Sequence, residues 1–588
     1  KQIIQNNIYG VDIEQGAVDI ARLRFWLALV VDENEPQPLP NLDYKIMCGD
    51  SLLHRFALDA PFQDVLKDYN KENNTNYTLD DYRRWVYDYT NISDHTQKDD
   101  FRNRIEEIKH AFKTELSKKE KTKIAKVRAA IANLQMKDLF GSNPKDKEKE
   151  LKKLQKQLKT LEQQRDEIIS NKIYEHAFEW RFEFPALLDS EGNFTGFDIV
   201  IANPPYFKYE GQHKGEIDEL RKLDYLKIAF GGQLNAYRLF LALAINQIGK
   251  SNCIISYIFQ NSFMADLHAA SLRSEVINNN QPIIIDSFPE RDSKKKRVFE
   301  SVKMSVCILL MRKSNTSLPF NVNFWDDRHK SSGTQIQFDR EEIKAIDPDA
   351  YTIPRIEPHQ KELIIKLKKF DRLPLKCYVG ELDMTFCKKY FTQIISNPKI
   401  LKGASIQRYY FTEQMSQGVI EYLDESAYLK DNSGDKTKHH KMERIAMQGI
   451  TGANDKIRII MSIVPAGYYL ANSCNYLLPN EEFPAKYLLG LLNSKLINWF
   501  FRRFSTNSNV NGYEVEQFPI PSCINDSKQR ITDLVDVILN KKKQRTQADT
   551  SAEEQQIDHL VYHLYGLSYD EVLIIDPSTP ITKEEYEK

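Results

Sequence analysis

The first fifty residues alternate apolar runs with an amphipathic stretch. Ile8-Tyr9-Gly10-Val11-Asp12-Ile13 is a short apolar run carrying an acid near its end. Gln15 to Asp32 holds Val18, Ala21, Leu23, Phe25, Leu27, Leu29 and Val30, a density that predicts a mostly buried helix. Tyr44-Lys45-Ile46-Met47-Cys48 then leads into Gly49-Asp50. Strand, helix and strand in so short a span predict parallel strands in an α/β sheet, because a parallel pair needs a crossover. The same texture returns later. Phe197-Asp198-Ile199-Val200-Ile201 reads as a strand, Ala236 to Ile248 as a helix, and Cys253 to Ile258 as a strand. Pro282 to Ile285 and Val306 to Met311 are expected as the last two strands.

Between these stretches the pattern changes. Residues 98–172 hold 21 basic and 13 acidic residues with almost no glycine or proline outside Gly141-Ser142-Asn143-Pro144. After that turn Leu151, Leu154, Leu158, Leu161 and Ile168 follow coiled-coil spacing. Before it Ile105, Ile108, Phe112, Leu116, Val127, Ile131 and Leu134 keep a looser helical period. An antiparallel helical hairpin inserted in the α/β domain is the simplest reading, with bracing as its expected role. Beyond residue 330 short mixed segments rich in Tyr, Asn and Lys follow. They contain one amphipathic helix from Tyr487 to Phe501 and a helical end from Ile557 to Ile575. The expected domains are an α/β domain over 1–60 and 173–330, the insertion over 61–172, a mixed α+β domain over 331–525 and a helical segment over 526–588.

Composition narrows the classes. A net charge of −1, 41% hydrophobic and 28% charged residues fit a globular chain and exclude collagen-like or wholly disordered ones. The densest apolar run, Phe25 to Val31, is far short of the roughly 20 residues that cross a bilayer, so no membrane is expected. Seven cysteines without a C-x-x-C pair point to a reducing compartment and to no metal cluster. No signal peptide opens the chain, which starts at Lys1 within an apparent structural element. A fragment or processed product is the expectation.

The strongest chemical signal is Asn203-Pro204-Pro205-Tyr206, directly after the apolar strand. An exocyclic amine is a poor nucleophile because its lone pair is delocalised into the ring. Two acceptors gripping both amino hydrogens favour the pyramidal form; the Asn203 side-chain oxygen and the Pro204 carbonyl offer such a pair. Prolines 204 and 205 fix φ and remove two backbone donors, stiffening the turn. Tyr206 provides a stacking face for a base taken out of its helix, an event costing a few kcal/mol. The plain alternative is an Asn-Pro turn after a buried strand.

Phe197 to Tyr206 resembles motif IV of the gamma class of S-adenosylmethionine-dependent N6-adenine DNA methyltransferases, and more closely the methylase part of type IIG restriction–modification enzymes. Ile8 to Ile13 with Ala17 resembles motif II, Gly49-Asp50-Ser51-Leu52 motif III, and Ser256 to Phe263 motif VI. Arg297-Val298-Phe299-Glu300 followed by Lys303-Met304-Ser305-Val306 resembles motif VIII. The resemblance implies a Rossmann-like sheet and S-adenosylmethionine as cofactor. It assigns the ribose hydroxyls to Asp12, the adenine ring to Ile13 and the adenine amino group to Asp50. Phe299 would stack on the target base opposite Tyr206. Three local alternatives stand beside these roles: Asp12-Ile13-Glu14-Gln15 also fits a helix capping box, Asp50 also fits a turn acid, and Phe299 also fits core packing before a strand.

Two departures matter. Ser51 stands where the family often has a larger group. Motif I, the glycine-rich turn after the first strand, is absent, and no G-x-G occurs in the sequence. The first, central strand is therefore expected to lie outside this chain, leaving the cofactor site incomplete. The resemblance also implies a target-recognition domain over 331–525. Lys399 to Tyr410 and Tyr487 to Leu496 are similar to segments of such domains. Double-stranded DNA is the expected partner, contacted by Lys303, Lys402, Arg408, Arg444, Arg502 and Arg503; a solvated basic face is the alternative for each. The implied location is the cytoplasm of a bacterium. Other readings kept open are a non-catalytic DNA-specificity fragment, a phage-defence methylase without nuclease, and a protein-glutamine or RNA methyltransferase. No acid-acid-Lys nuclease cluster is evident.

Overall fold

A computed structural model describes residues 2–31, 42–54, 58, 62–91, 95–110, 118–136, 144–169, 176–288, 294–413, 420–452, 455–505, 508–521 and 525–588. The chain forms two compact units, 1–255 and 256–588.

In the first unit a three-residue strand, β1 (Gly10–Asp12), precedes helix α1 (Gln15–Val30) and strand β2 (Ile46–Cys48). β1 and β2 pair in parallel, with Gly10 opposite Ile46 and Asp12 opposite Cys48. Helix α1 forms where expected but is not mostly buried. Only Val18 and Leu29 are buried, while Ile20, Leu23, Leu27 and Val30 are exposed. Two short strands cover one stripe of a helix, and no other layer of described residues lies over the rest.

Five helices follow: α2 (Phe62–Asn73), α3 (Leu79–Asn91), α4 (His95–His110), α5 (Lys118–Met136) and α6 (Pro144–Ile169). The first two were not singled out by the sequence pattern. With α4 they build a core of their own, in which Ile105 and Ile108 pack with Leu66, Tyr82, Trp85 and Phe182. These two isoleucines therefore belong to that core. The Tyr82 hydroxyl donates to the Phe182 carbonyl at 2.9 Å and ties the helices to the chain beyond them. Arg128 of α5 pairs with Glu162 of α6 at 2.6 Å, and Leu151, Leu154, Leu158 and Leu161 are half-buried. Phe112, Leu116, the turn Gly141 to Asn143 and the side chain of Ile168 lie outside the described residues.

Strand β3 (Phe197–Ala202) then runs beside a twelve-residue strand, β4 (Gly249–Gln260), reached through helix α7 (Ala236–Leu243) and a wider turn over Ala244–Ile248. Gly196 enters β3 at φ +79°, and a Cβ there would lie 2.8 Å from the Ile248 carbonyl, so only glycine fits.

Strand β4 passes into the second unit, which adds β5 (Gln281–Phe288), β6 (Val306–Arg312), β7 (Phe320–Trp325) and β8 (Gly333–Phe338) in the order β4-β6-β5-β7-β8. The runs at 282 and 306 are thus not the last strands of the sheet. β5 pairs antiparallel with β6 and parallel with β7. The Gln281 side chain brackets Leu318, accepting from its N–H at 2.6 Å and donating to its carbonyl at 2.9 Å, so the chain leaving β6 returns along the open edge of β5.

A second sheet of four antiparallel strands, β9 (Cys377–Val379), β10 (Arg444–Gln448), β11 (Met461–Val464) and β12 (Cys474–Leu477), has the order β9-β12-β10-β11. The helix expected over Tyr487 to Phe501 is two helices, α8 (Ala485–Leu492) and α9 (Lys495–Phe504). The Asn493 amide donates to the Met461 carbonyl at 3.1 Å and accepts from its N–H at 3.2 Å, while Ser494 caps the new helix. Helix α10 (Asn525–Gln544) packs on α8; helices α11 (Ser551–Leu564) and α12 (Tyr569–Ile575) are divided near Gly566 at φ +57°. At Gly490 of α8 a Cβ would lie 2.7 Å from the Ile531 and 2.9 Å from the Val535 methyls. Gly490→Ala is expected to lower stability by about 1–3 kcal/mol through overpacking, measured as the urea midpoint.

Candidate active site

The Asn203 turn is presented by the end of β3. Asn203 and Pro205 are exposed, Pro204 is buried and Tyr206 is half-buried. The Asn203 amide makes no hydrogen bond among the described residues, so its oxygen and nitrogen are available to a planar amine. Pro204 anchors the turn by burial. Further on, the Tyr209 N–H donates to the Leu234 carbonyl at 2.9 Å and the Ala236 N–H to the Phe207 carbonyl at 3.1 Å, which pins the loop to the start of α7. Arg238, buried in α7, donates to the Gly231 carbonyl at 2.9 Å and to that of Gln233, fixing the loop's return.

Asp12 and Asp50 lie at the carboxyl ends of β1 and β2, where open α/β sheets bind ligands. The Gly49 N–H donates to the Asp12 carbonyl at 2.9 Å. Asp12 is exposed. Its Oδ1 accepts from the Glu14 N–H at 2.9 Å, and its Oδ2 has no partner among the described residues. The capping-box alternative is not realised, since Glu14 occupies the N-cap of α1 and makes no side-chain cap bond. Ile13 is exposed too, with its carbonyl accepting from the Cys48 thiol at 3.3 Å.

Asp50 is more enclosed. Its backbone bridges to Ala177, and Oδ1 accepts from the Leu52 N–H at 2.9 Å. Burial pushes its carboxyl pKa up; the Leu52 N–H pulls the other way, and the charge of Glu216 adds to the rise. Asp50 in turn helps burial raise the Tyr209 and Tyr225 hydroxyls, which places these residues of the loop after Asn203 in its field. Asp12, Asp50 and the loop after Asn203 thus meet at one end of the first unit. Tyr209, Glu216, Tyr225 and His54 were missed by sequence reasoning; the aromatic density just after Asn203 was the available signal for Tyr209.

His54 stacks on Tyr225 at 5.7 Å, with Nε2 3.2 Å from the hydroxyl, and burial holds its pKa down to about 4. An unfolded histidine takes its proton near 6.5, so the unfolded state binds more protons between these values. This contribution to stability is full above pH 6.5 and is lost as pH falls toward 4. His54→Phe is therefore expected to shrink the drop in urea midpoint between neutral and mildly acidic pH.

Under the site, Tyr9 meets Phe184 edge-on at 5.0 Å and Phe197 at 5.8 Å, joining the roots of β1 and β3. Yet β1 and β3 are not paired, and each has an edge without a partner strand among the described residues. Ile199 and Ile201 of β3 are 61% and 76% exposed.

Residues 6–293 match the family described as Eco57I restriction-modification methylase, and residues 398–520 match the TaqI-like C-terminal specificity domain. Residues 6–293 thus carry a restriction–modification methylase region and residues 398–520 a specificity region. A protein of Methanocaldococcus jannaschii bearing the name of a type II restriction enzyme and methyltransferase, RM.MjaORFECS2P, is 22% identical over 96% of this chain. The chain spans about half of that relative's length, 48%. Among solved structures, the type IIL restriction-modification enzyme MmeI in complex with DNA covers 66% of this chain and 57% of its own at 12% identity and TM-score 0.42. The type IIG restriction endonuclease BpuSI covers 65% and 55% at 12% identity and TM-score 0.26.

Within the second unit of this restriction–modification chain, Phe299 is half-buried before β6 and Lys303 is exposed. The cations expected to meet DNA divide. Arg444 is wholly buried in an ion pair with Glu381, so it holds the specificity region together and does not reach a surface. Lys402 pairs with Glu421 at 2.7 Å and Arg408 with Glu554 at 2.7 Å, so both charges are already compensated. Arg502 is exposed and Arg503 half-buried at the end of α9, where cations also suit the helix terminus. Among the described residues no helix is long and apolar enough to cross a membrane.

Proposed function

We propose that the chain is the methylase and specificity part of an enzyme that methylates adenine N6 in a defined sequence of duplex DNA, with S-adenosylmethionine as methyl donor. The observation that carries this reading is the Asn203 amide, exposed and unpartnered among the described residues on a proline-locked turn whose following loop lies in the field of Asp50. The target adenine is flipped out and stacked on Tyr206. The Asn203 oxygen and Pro204 carbonyl accept its two amino hydrogens and localise the lone pair on nitrogen. Alignment and charge placement supply most of the barrier reduction.

The residues present fit the adenosine half of the cofactor. Asp12 has a carboxylate oxygen to spare for ribose hydroxyls, Ile13 offers an exposed apolar face, and Asp50 accepts from an amino group. When bound, the cofactor supplies an electrophilic methyl on sulfonium. The open edges of β1 and β3, with the exposed apolar faces of β3 and α1, support a further parallel strand that none of the described residues supplies. Isothermal titration of the chain with S-adenosylmethionine is expected to show weak or no binding; tight one-to-one binding would overturn that part of the reading. Methyl transfer by the complete protein is read by hydrolysing duplex DNA to nucleosides: N6-methyladenine is expected, and a methylated cytosine, RNA base or protein glutamine instead would sink the assignment.

A further inference from the structure

We propose that Arg355, Arg458, Arg502 and Arg503 form a pocket for a phosphate ester, occupied by one phosphodiester of the DNA backbone. The proposal rests on the DNA reading above and names the residues that hold the strand. The four guanidinium groups line a cavity of about 370 Å³ in the second unit, against two carboxylates, Asp326 and Glu357. Glu357 Oε2 lies 3.4 Å from His359 Nδ1, a pair that is ionic only when the histidine is protonated.

The four arginines come from three parts of the chain, which contacts of Arg355, Arg458 and Arg503 hold together. The Arg355 N–H donates to the Arg503 carbonyl at 2.6 Å, locking the segment after β8 to the end of α9. Arg458 is buried and donates to neutral oxygens: Thr451 Oγ1 at 2.7 Å, Ser505 Oγ at 3.1 Å and the Asn509 carbonyl at 3.2 Å. It lies over the Phe501 ring at 5.1 Å, and Arg503 lies over Trp499 at 5.1 Å. The Arg503 Nε is buried and has no acceptor among the described residues. A buried guanidinium donor without an acceptor is costly, and a phosphate oxygen satisfies it with a charge-assisted bond. Burial, then the neighbouring charges of Arg502 and Arg355, pull the Arg503 pKa down to about 10, so added negative charge relieves the site.

A larger cavity of about 630 Å³ shares Arg502 but is less suited. Its Arg408 is paired with Glu554 and its Lys495 with Asp576 at 2.6 Å, and Asp558 adds a third acid. The smaller pocket keeps the larger excess of positive charge.

The test compares the unmodified chain with Arg502→Gln and Arg355→Gln, and with Lys543→Gln, an exposed charge outside the pocket. Binding of a duplex oligonucleotide is followed as salt rises from about 50 to about 200 mM. Each pocket variant is expected to bind all sequences more weakly and to lower the slope of log K against log salt by about 0.9, one counterion's worth, while Lys543→Gln leaves it unchanged. In a parallel arm inorganic phosphate raises the thermal midpoint of the unmodified chain and not of Arg502→Gln. Equal slopes in all four proteins overturn the pocket, even if adenine methylation by the complete protein stands. No duplex binding by the unmodified chain overturns the DNA assignment; phosphate stabilisation persisting there would mark a free-anion site instead. Any variant whose midpoint without phosphate has moved is replaced by Arg→Lys at the same position, which keeps charge and is expected to restore the slope.

Discussion

Asn203→Ala in the complete protein is expected to lower methyl transfer to duplex DNA by about 10²–10³-fold or more, the scale of losing one preorganised polar contact to the reacting group. The loss should fall on kcat, because the side chain is asked to grip the amino group as its nitrogen becomes nucleophilic. Duplex binding and the urea midpoint should hardly move: Asn203 is exposed and makes no hydrogen bond among the described residues, and such substitutions stay within about 0.5 kcal/mol. Single-turnover methylation with saturating DNA separates the two effects. Retained turnover in this variant would remove the proposed mechanism.

Glu381→Ala is expected to have the largest effect on folding. Both side chains of the Glu381–Arg444 pair are fully buried, and Glu381 also accepts from the Leu470 N–H at 2.9 Å. Arg444 lies over the Tyr476 ring at 5.3 Å. Removing the carboxylate leaves a guanidinium uncompensated in the interior, at a cost of about 3–5 kcal/mol. Replacing both together, Glu381→Leu with Arg444→Met, should recover much of that loss, since no lone charge is then buried. Denaturant midpoints of the single and double variants check this; equal destabilisation of all of them would show that the pair's charges are not what matters.

Helix α1 shows where periodicity stops being informative. Its apolar residues dictate a helix, because their spacing and propensity are local properties, but burial depends on which layers are there to cover it. Leu23 and Leu27 are exposed although their pattern reads as core. The helix at Tyr487 illustrates the opposite limit: amphipathic spacing runs unbroken through Asn493, yet that amide is drawn to the Met461 backbone in strand β11. A distant partner set the break. Likewise β7 and β8 were hidden because their place depends on an open edge of β5 that no local pattern announces.

The site divides in the same way. Asn203-Pro204-Pro205-Tyr206 was legible because the stiffness of a double-proline turn and the donor-free acceptors it presents are written in adjacent residues. Asp12 and Asp50 were legible as strand-end acids. That Tyr209, Tyr225 and Glu216 gather around Asp50 was not, for they approach it from across the fold. The basic residues were least legible of all. A cation in sequence is the same symbol whether it meets solvent, a buried carboxylate or three other cations. Only tertiary packing sends Arg444 to Glu381 and brings Arg502 and Arg503 beside Arg355 and Arg458, because electrostatic partnership is decided by distance through space. The sequence by itself determined the strands up to β6, the turn and the acids; the fold alone decided where β7 and β8 pair, which charges cancel and which are left to act.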